Sequence, residues 1–250
     1  MKNIVFMVNI KNNDNPTRVK PYEYSIKSWE KWCEKNDAEL FILEERIFEP
    51  DYMRLNWYKL YVFDLLENEN IDYNQILIVD SDTIVHPNCP NFFELSENKF
   101  CAVHNDGSYD WVCRSLENYS KHLFEGFTFP VWEYINSGFL ILNKKHRQLY
   151  KNIIKFYLEN RNNIIKLQDT YAVGTDQPII NFFVHKEKVD LKLLSYKFNM
   201  QDMARKEILT EDLLFTKLGW VYHYNAIPNN QNSEKTLYWM KKTYDFFYKN

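Results

Sequence analysis

ILIVDSDTIV, residues 76–85, is the most informative segment of this chain. Its first four residues are apolar and predict a buried strand that ends at Asp80, and a second carboxylate follows at Asp82. Ligands of doubly wound sheets collect outside the carboxyl ends of the strands, which is where this pair would lie. Because two carboxylates so close repel each other, we expect a divalent cation beside them rather than a simple turn.

Outward from this segment, apolar runs of strand length alternate with longer amphipathic stretches. This alternation is typical of an α/β domain with a mixed, mostly parallel sheet flanked by helices. We predict strands at residues 4–10, 39–43, 75–79, 100–104, 139–142, 191–194 and 220–224. We predict helices that start at Pro21 and at residues 55–66, 145–159, 177–184 and, as an amphipathic C-terminal helix, about 233–249. No linker or repeat divides the chain, so we expect a single domain over residues 1–250, in which the aromatic segment 106–134 has no assigned element.

Composition places the chain among globular proteins and argues against several functions. With 250 residues, of which 45% are hydrophobic, it can bury a core without disulfides or structural zinc. Its net charge of −3 and its scattered basic residues argue against nucleic acid as a partner. No stretch approaches the roughly 20 apolar residues that span a bilayer, and the N-terminal apolar run lacks a signal-peptide cleavage site. The four cysteines have no CxxC spacing, so we expect reduced thiols and a cytoplasmic location.

Two enzyme classes carry Asp-x-Asp at a strand end, and one of them is the haloacid dehalogenase group. Those phosphotransferases and phosphatases continue the motif to Asp-x-Asp-x-Thr, and their first Asp, here Asp80, attacks phosphorus. In this chain Thr83 falls one position too early and Ile84 occupies the expected place. Two predicted strands also precede the motif, whereas that group usually carries it on its first strand. We therefore rank this class as the alternative.

The second class is the GT-A (Rossmann-like) nucleotide-sugar transferases, and here the sequence resembles glycosyltransferase family 8. Four motifs stand in family order: IVDSDTIV at 78–85, YINSGFLILNKK at 134–145, GTDQPIINFF at 174–183 and VYHYNA at 221–226. The resemblance extends from Ile4 to about Asn225. It implies a hexosyltransferase that needs a metal and moves one sugar from a nucleotide-diphosphate sugar, UDP-sugar favoured, to a glycan or other hydroxyl acceptor.

The resemblance also implies a metal site. Asp80 and Asp82 match the two aspartates of the family's metal motif, with Ser81 between them at the donor, and His223 matches its late histidine ligand. Two carboxylates, an imidazole and a diphosphate make a mixed nitrogen and oxygen site that suits Mn²⁺, or Mg²⁺, better than zinc. The alternative for His223 is a hydrogen-bonded core histidine.

Further residues are expected at the donor on the same resemblance. The end of the first strand would face the base through Val8, Asn9 and Ile10. Arg54 and Lys59 lie on the helix before the metal strand, where the family places a basic residue near the phosphates. Because five residues separate them, they do not share a helical face, and we expect only one to contribute.

Two later motifs are expected at the donor sugar. Asn136, Ser137 and Gly138 are predicted as a turn before a strand, where a glycine without Cβ lets sugar hydroxyls approach the backbone. For Ser137 we favour the alternative, a plain turn that enters the strand. Asp176 and Gln177 match the family's Asp-Gln at a helix start, where they would bind hydroxyls beside the anomeric carbon. Asp176 can at the same time serve as an N-cap.

The chain departs from the family after His223. The family continues with a glycine and then Lys-Pro-Trp, whereas this chain reads HYNAIPNNQNSEKTLYW, in which Lys235 is the candidate replacement for the phosphate-binding lysine. Stereochemistry rests on the resemblance, which favours retention of the anomeric configuration. Inverting relatives need a carboxylate base, and Asp176 is the candidate for that role.

The C-terminal stretch has an apolar face at helical spacing with lysines around it. Such a helix usually packs on its own domain, and we favour this interpretation. The lysines leave peripheral contact with an anionic membrane as a second hypothesis, testable by sedimentation with liposomes.

The aromatic segment 106–134 offers flat faces on which an acceptor sugar could stack. The candidate aromatic residues are Tyr109, Trp111, Phe127, Phe129, Trp132 and Tyr134. A carbohydrate-binding protein with this fold but without turnover is the alternative that is not an enzyme. It predicts sugar binding without metal dependence or nucleotide release.

Overall fold

A computed structural model of the chain describes residues 1–10, 19–49 and 51–249. The strands in chain order are β1 (Lys2–Val8), β2 (Ala38–Leu43), β3 (Tyr73–Val79), β4 (Thr83–Val85), β5 (Phe100–His104), β6 (Ile135–Asn143), β7 (Leu191–Leu194) and β8 (Val221–His223). The α-helices are α1 (Val19–Lys35), α2 (Val62–Asn68), α3 (Phe92–Leu95), α4 (Tyr109–Leu123), α5 (Arg147–Tyr171), α6 (Asp176–Lys186) and α7 (Glu234–Tyr248). Short 3-10 helices lie at Leu55–Tyr61, Val131–Glu133, Lys144–His146, Tyr196–Phe198, Leu214–Lys217 and Gln231–Ser233.

A six-stranded sheet forms the centre of the molecule, in the order β2-β1-β3-β6-β5-β7. β1 is parallel to both β2 and β3, and β5 is parallel to β7. β6 is antiparallel to its two neighbours, β3 and β5. Strands β4 and β8 form a separate antiparallel pair. The predicted α/β class with a mixed, mostly parallel sheet is therefore confirmed.

Both faces of the central sheet are buried at its inner strands β1, β3, β6 and β5, which explains why these strands are apolar runs rather than alternating sequences. In β3, Ile76 and Ile78 face one core, which includes side chains of α2 and α5. Leu77 faces the opposite core, which contains Trp29 and Trp32 of α1. The side chain of Trp32 stacks on the ring of Phe92, with the ring centroids 4.2 Å apart.

The predicted elements differ from the structure mainly where polar residues are buried. β6 begins at Ile135, so the predicted turn over residues 136–138 is wrong, and these residues are part of the strand. They are tolerated inside a sheet because the Asn136 side chain is satisfied by other amides. Helix α4 occupies much of the segment that had no assigned element, and α5 continues to Tyr171, well beyond the predicted end.

Helix α7 confirms the predicted C-terminal helix and packs on the domain. Met240 and Tyr244 are buried, and the Tyr244 ring lies 5.5 Å from the ring of Tyr24 on α1. The surrounding lysines form ion pairs: Lys241 and Lys249 with Asp245, and Lys242 with Glu211. Membrane contact through these lysines stays an untested hypothesis.

Within the described residues, no helix combines the length and apolar character that crossing a bilayer requires. The four cysteines are free, and Cys33, Cys89 and Cys101 are buried. Burial raises the pKa of the Cys33 thiol to about 12 and that of Cys101 to about 11. These thiols are therefore protonated at neutral pH. The expected cytoplasmic location stays a prediction.

Candidate active site

Two carboxylates and an imidazole meet where β3 ends. Asp80 and Asp82 follow β3 directly, and β8 brings His223 beside them because Thr83 pairs with His223 in the β4–β8 ladder. The Tyr224 amide also donates to the Asp82 carbonyl at 2.9 Å. His223 Nε2 lies 3.1 Å from Asp82 Oδ1 and 3.7 Å from Asp80 Oδ2. One ligand atom from each of the three residues can lie within 4.8 Å of the other two.

The imidazole of His223 is held in one orientation by a buried asparagine. Its Nδ1–H donates to Asn199 Oδ1 at 3.0 Å, so that Nε2 faces the two carboxylates. Burial lowers the pKa of His223, but the carboxylates of Asp82 and Asp80 together raise it by more, and the pKa lies above its ordinary value. The pKa of Asp82 lies below its ordinary value despite burial, because His223 stabilises its charge.

A buried lysine lies between two carboxylates of the site. Lys59 Nζ donates to Asp80 Oδ1 at 2.7 Å and lies 3.5 Å from Asp176 Oδ2. It also donates to the Ser137 carbonyl at 3.2 Å. Burial lowers the pKa of Lys59, but the two carboxylates raise it by more, so the pKa lies above its ordinary value. The ammonium group is therefore a fixed positive charge in the cleft.

The start of α6 places Asp176 and Gln177 against β6. Asp176 Oδ2 accepts from Ser137 Oγ at 3.1 Å, and its Oδ1 accepts from Thr175 Oγ1 at 2.8 Å. Gln177 Oε1 accepts from the Ser137 amide at 2.9 Å, while its Nε2 donates to Asn105 Oδ1 at 3.2 Å. Neither residue acts as a simple helix cap, since no side-chain cap hydrogen bond is present at this helix start.

A chain of buried amides connects this helix start with His223. Asn136 Nδ2 donates to Asn105 Oδ1 at 3.0 Å, and Asn136 Oδ1 accepts from Asn199 Nδ2 at 2.9 Å. Asn136 Nδ2 also donates to Gln201 Oε1. The sequence pointed to Asn136 and Gln177 but not to Asn105, Asn199 or Gln201, which stand in no motif.

Gly138 allows the metal-site side chains to lie close to β6. A Cβ at this position would lie 2.6 Å from His223 Cε1 and 2.8 Å from Asp80 Oδ2. Real Cβ atoms essentially never approach so closely, so any larger residue must displace one of these side chains. In this structure the side chains of His223 and Asp80 make the close approach at Gly138, and the predicted approach of sugar hydroxyls there stays a prediction.

These groups line a cleft of about 350 Å³. The predicted residues that line it are Val8, Asn9, Ile10, Lys59, Asp80, Ser81, Asp82, Asn136, Ser137, Asp176, Gln177 and His223. It is also lined by Tyr22, Leu55, Asn56, Trp111, Thr175 and Asn225. Of these, Asn225 lies within the motif VYHYNA, which could have indicated it, whereas Tyr22 stands in no pattern.

Two predicted phosphate-binding residues do not line the cleft. The Arg54 guanidinium donates to Gln168 Oε1 at 2.7 Å. Lys235 is exposed and donates from Nζ to the Pro228 carbonyl at 2.8 Å. Of the two basic residues expected on the helix before the metal strand, Lys59 is the one in the cleft. The phosphate contacts of Arg54 and Lys235 stay untested predictions.

The residues at the end of β3 fit a divalent cation. Carboxylate oxygens and one imidazole nitrogen are suitable ligands for Mn²⁺ or Mg²⁺. Asp80 uses Oδ1 for Lys59 and presents Oδ2 toward His223, so one oxygen remains on the side of the other ligands. The hydrogen bond from His223 Nδ1 to Asn199 leaves the Nε2 lone pair directed at the same point.

Several solved structures are similar to this chain. A glycosyltransferase involved in the glycosylation of the major capsid of PBCV-1 is 12% identical with a TM-score of 0.59, over 94% of this chain and 98% of that one. The glycosyltransferase GlyE of Streptococcus pneumoniae TIGR4 is 16% identical with a TM-score of 0.54, over 97% of this chain and 60% of that one. Mouse xyloside xylosyltransferase 1 is 13% identical with a TM-score of 0.50, over 90% of this chain and 98% of that one.

At these identities the likeness concerns the fold, which is that of the GT-A glycosyltransferases. No curated protein gives a significant match to the sequence. A sequence model of the family described as glycosyl transferase family 8 matches residues 3–228, which include every element from β1 to β8. The four motifs and the convergence of Asp80, Asp82 and His223 lie within the matched range. This chain is therefore a glycosyltransferase and belongs to glycosyl transferase family 8.

Proposed function

We propose that this glycosyltransferase moves a single sugar from a nucleotide-diphosphate sugar, with a UDP-sugar favoured, to a hydroxyl of a glycan or other acceptor. The observation that carries the proposal is the convergence of Asp80, Asp82 and His223 at the end of β3, inside the cleft. These residues would hold Mn²⁺ or Mg²⁺. A bound divalent cation would neutralise the negative charge of a departing diphosphate.

Different residues of the cleft would bind the base, the diphosphate and the sugar of the donor. Val8, Asn9 and Ile10, at and just beyond the end of β1, line one part of it and would face the base. The Lys59 ammonium adds a positive charge beside the carboxylates, where a diphosphate would lie. Ser137 would bind a hydroxyl of the donor sugar, and Asn136, whose amide is used by Asn105, Gln201 and Asn199, would fix these side chains beside the sugar.

Hydrogen bonding around Asp176 supports retention rather than inversion. Its two carboxylate oxygens are engaged by Ser137, Thr175 and Lys59. A general base must accept a proton from the acceptor hydroxyl, and a carboxylate so engaged is better suited to positioning. We therefore assign Asp176 and Gln177 to orienting the sugar near the anomeric carbon, and we infer that the donor phosphate helps to accept the proton.

The alternatives are weaker. The family match favours glycosyl transfer over phosphoryl chemistry with Asp80 as the nucleophile. Moreover, Asp80 Oδ1 already accepts a hydrogen bond from Lys59 Nζ, and His223 Nε2 lies 3.7 Å from Asp80 Oδ2. The family match equally favours turnover over sugar binding without catalysis.

A thermal-shift experiment tests the donor and the metal together. UDP, GDP, CMP and their sugars are each added with Mn²⁺ or with EDTA to the wild type and to Asp82→Asn. Asp245→Asn is the matched control, because the side chains of Asp245 and Asp82 are both 28% exposed and Asp245 does not line the cleft. A ligand that binds only the native state raises the melting temperature by mass action.

We expect UDP or its sugar to raise the melting temperature of the wild type and of Asp245→Asn in Mn²⁺ but not in EDTA. Asp82→Asn should show no such shift. Equal stabilisation in Mn²⁺ and EDTA would contradict metal dependence. If no nucleotide stabilises the wild type, the donor assignments are wrong.

A further inference from the structure

The aromatic side chains between β5 and β6 range from buried to exposed in the structure. Tyr134 and Phe129 are buried in the core, where the Phe129 ring stacks at 4.0 Å on the ring of His185. Tyr109 and Trp132 are 67% and 68% exposed. Burying an aromatic ring is favourable. Two large exposed rings close to each other therefore indicate a surface on which binding of a ligand is favourable.

Tyr109 and Trp132 line the same concave surface, which we call the aromatic pocket. Tyr109 is the first residue of α4, and Trp132 lies on the 3-10 helix Val131–Glu133. The pocket has a volume of about 250 Å³, and its lining also includes His104, Asn105, Asp106 and Val131. It is smaller than the roughly 300 to 1,000 Å³ of pockets that hold drug-sized ligands, so it suits a single ring.

The aromatic pocket lies next to the donor cleft through shared residues. Asn105 lines the pocket, and its Oδ1 accepts from Gln177 Nε2 at 3.2 Å and from Asn136 Nδ2 at 3.0 Å. Gln177 and Asn136 both line the donor cleft. A molecule in the pocket would therefore lie beside the donor-sugar end of the cleft.

The chemistry of the lining combines apolar ring faces with a polar edge. Tyr109, Trp132 and Val131 provide the apolar surface, and His104 and Asp106 provide hydrogen-bonding groups. The Asp106 carboxylate is fixed by an ion pair with Lys206 at 2.9 Å. A pyranose ring has the matching surface, with C–H groups on its faces and hydroxyls on its edge.

We propose that the aromatic pocket binds a pyranose ring of a saccharide acceptor. This proposal rests on the proposed function, because it takes the neighbouring cleft as the donor site. It narrows the acceptor to a glycan, and it makes Tyr109 and Trp132 determinants of acceptor binding without a role toward the donor.

The experiment measures saccharide and donor binding separately. An array of defined oligosaccharides is probed with the wild type, Trp132→Ala and Tyr109→Ala in the presence of UDP and Mn²⁺. Affinities for the best-bound saccharide and for UDP are then measured by calorimetry. Phe246→Ala is the matched control, since Phe246 on α7 is 43% exposed and lines neither the cleft nor the pocket.

We expect Trp132→Ala and Tyr109→Ala each to weaken saccharide binding about tenfold or more, the order of magnitude for loss of an aromatic contact with its buried area. UDP affinity should stay unchanged, Phe246→Ala should bind like the wild type, and Trp132→Phe should retain part of the affinity. If the wild type binds a saccharide but not UDP, and the two alanine variants lose the saccharide, the result supports the aromatic pocket as a saccharide site and rejects the donor assignment.

Three results would overturn the proposal. The first is equal saccharide affinity in the wild type and both alanine variants. The second is a wild type that binds UDP but no saccharide on the array. The third is a dimeric wild type that becomes monomeric in Trp132→Ala while its saccharide binding is unchanged, as measured by light scattering, because the ring would then cover a second copy of the chain.

Discussion

Lys59 is the side chain that balances charge in the cleft. It contacts Asp80 and Asp176, which come from distant parts of the chain, and the next carboxylate, Asp82, is paired with His223. Without the ammonium group, Asp80 and Asp176 would remain in the cleft with less positive charge nearby. Removing one partner from a buried ion pair usually costs more than the pair contributes, because the remaining charge loses its compensation.

Lys59→Met should therefore lower the free energy of unfolding by about 3 kcal/mol. Urea denaturation in EDTA measures this loss without a contribution from added metal. Lys59→Arg keeps the charge and should recover much of the stability. A loss in Lys59→Met as small as that of an exposed ion pair, about 1 kcal/mol or less, would show that the three groups are not coupled.

Asn199 should affect the proposed metal site without being a ligand. Its side chain accepts from His223 Nδ1 and donates to Asn136, so Asn199→Ala leaves the imidazole without its partner. We expect the affinity for Mn²⁺, measured by calorimetry without nucleotide, to fall about 10- to 100-fold. Asn199→Asp keeps an oxygen for Nδ1 and should bind the ion better than the alanine variant. Unchanged affinity in Asn199→Ala would mean that the strands alone fix His223.

The sequence indicates some of these side chains and not others for a physical reason. Asp80 and Asp82 follow an apolar run at once, so their position at a strand end can be inferred without the fold. Asn105, Asn199 and Gln201 come together only when β5, β6 and the chain before β8 are in place. The spacing of these residues in the sequence does not predict their contact, because asparagine and glutamine are also common in exposed loops.

Strand β6 positions the site through its backbone as well as its side chains. Gly138 pairs its carbonyl with the Asp80 amide at 3.1 Å, and its Cα faces the ligand side chains. The strand interior is an unfavourable place for glycine, so the close approach of His223 explains its presence.

Gly138→Ala should therefore weaken binding of Mn²⁺ and of UDP at least tenfold, because the new methyl group must displace His223 or Asp80. Titration calorimetry measures both affinities. The melting temperature of the variant in EDTA provides the control, since a large fall there would indicate a general loss of folding. Wild-type affinities in a folded variant would contradict the steric argument.

The accuracy of the predicted elements follows their burial pattern. β5 and β7 have the predicted bounds; β5 is a short, mostly buried run, whereas β7 is partly exposed and contains Lys192. β4 is a strand of three residues, too short for any periodicity. Helix α4 is not among the predicted elements, although its buried residues Val112, Ser115, Leu116 and Tyr119 have helical spacing.

The order and direction of the strands belong to the whole molecule and could not be predicted from segments. The antiparallel β6 lies between β3 and β5, although β4 and β5 precede it in the sequence. This arrangement places Asn136 and Ser137 beside the end of β3. The position of β6 between β3 and β5 therefore brings the predicted residues of β6 next to those that follow β3.

Stability should depend on pH through the buried His146. Burial lowers its pKa from 6.5 to about 4, its Nδ1 accepts from the Asn143 amide, and its Nε2 has no hydrogen-bond partner within the described part of the chain. As the pH falls below 6.5, the unfolded chain binds a proton that the folded protein does not. The free energy of unfolding therefore decreases from about pH 6.5 to about pH 4, by roughly 3 kcal/mol for this group.

Urea denaturation at pH 7 and pH 5 checks this expectation. His146→Gln removes the titrating ring and should reduce the difference in unfolding free energy between the two pH values. Part of the difference should remain, because burial also lowers the pKa of His86 and His185. The same pH difference in the variant and the wild type would exclude His146 as a cause.

The β4–β8 ladder has a consequence for the order in which the protein is made. Domains emerge from the ribosome from the N-terminus, and contacts between distant residues form only after both partners are available. Every strand of the central sheet is synthesised before residue 221, whereas the imidazole beside Asp80 and Asp82 arrives only with β8. A nascent chain can therefore complete its main sheet before His223 of the candidate metal site has been synthesised, so the proposed binding of metal and donor can begin only after β8 has been made.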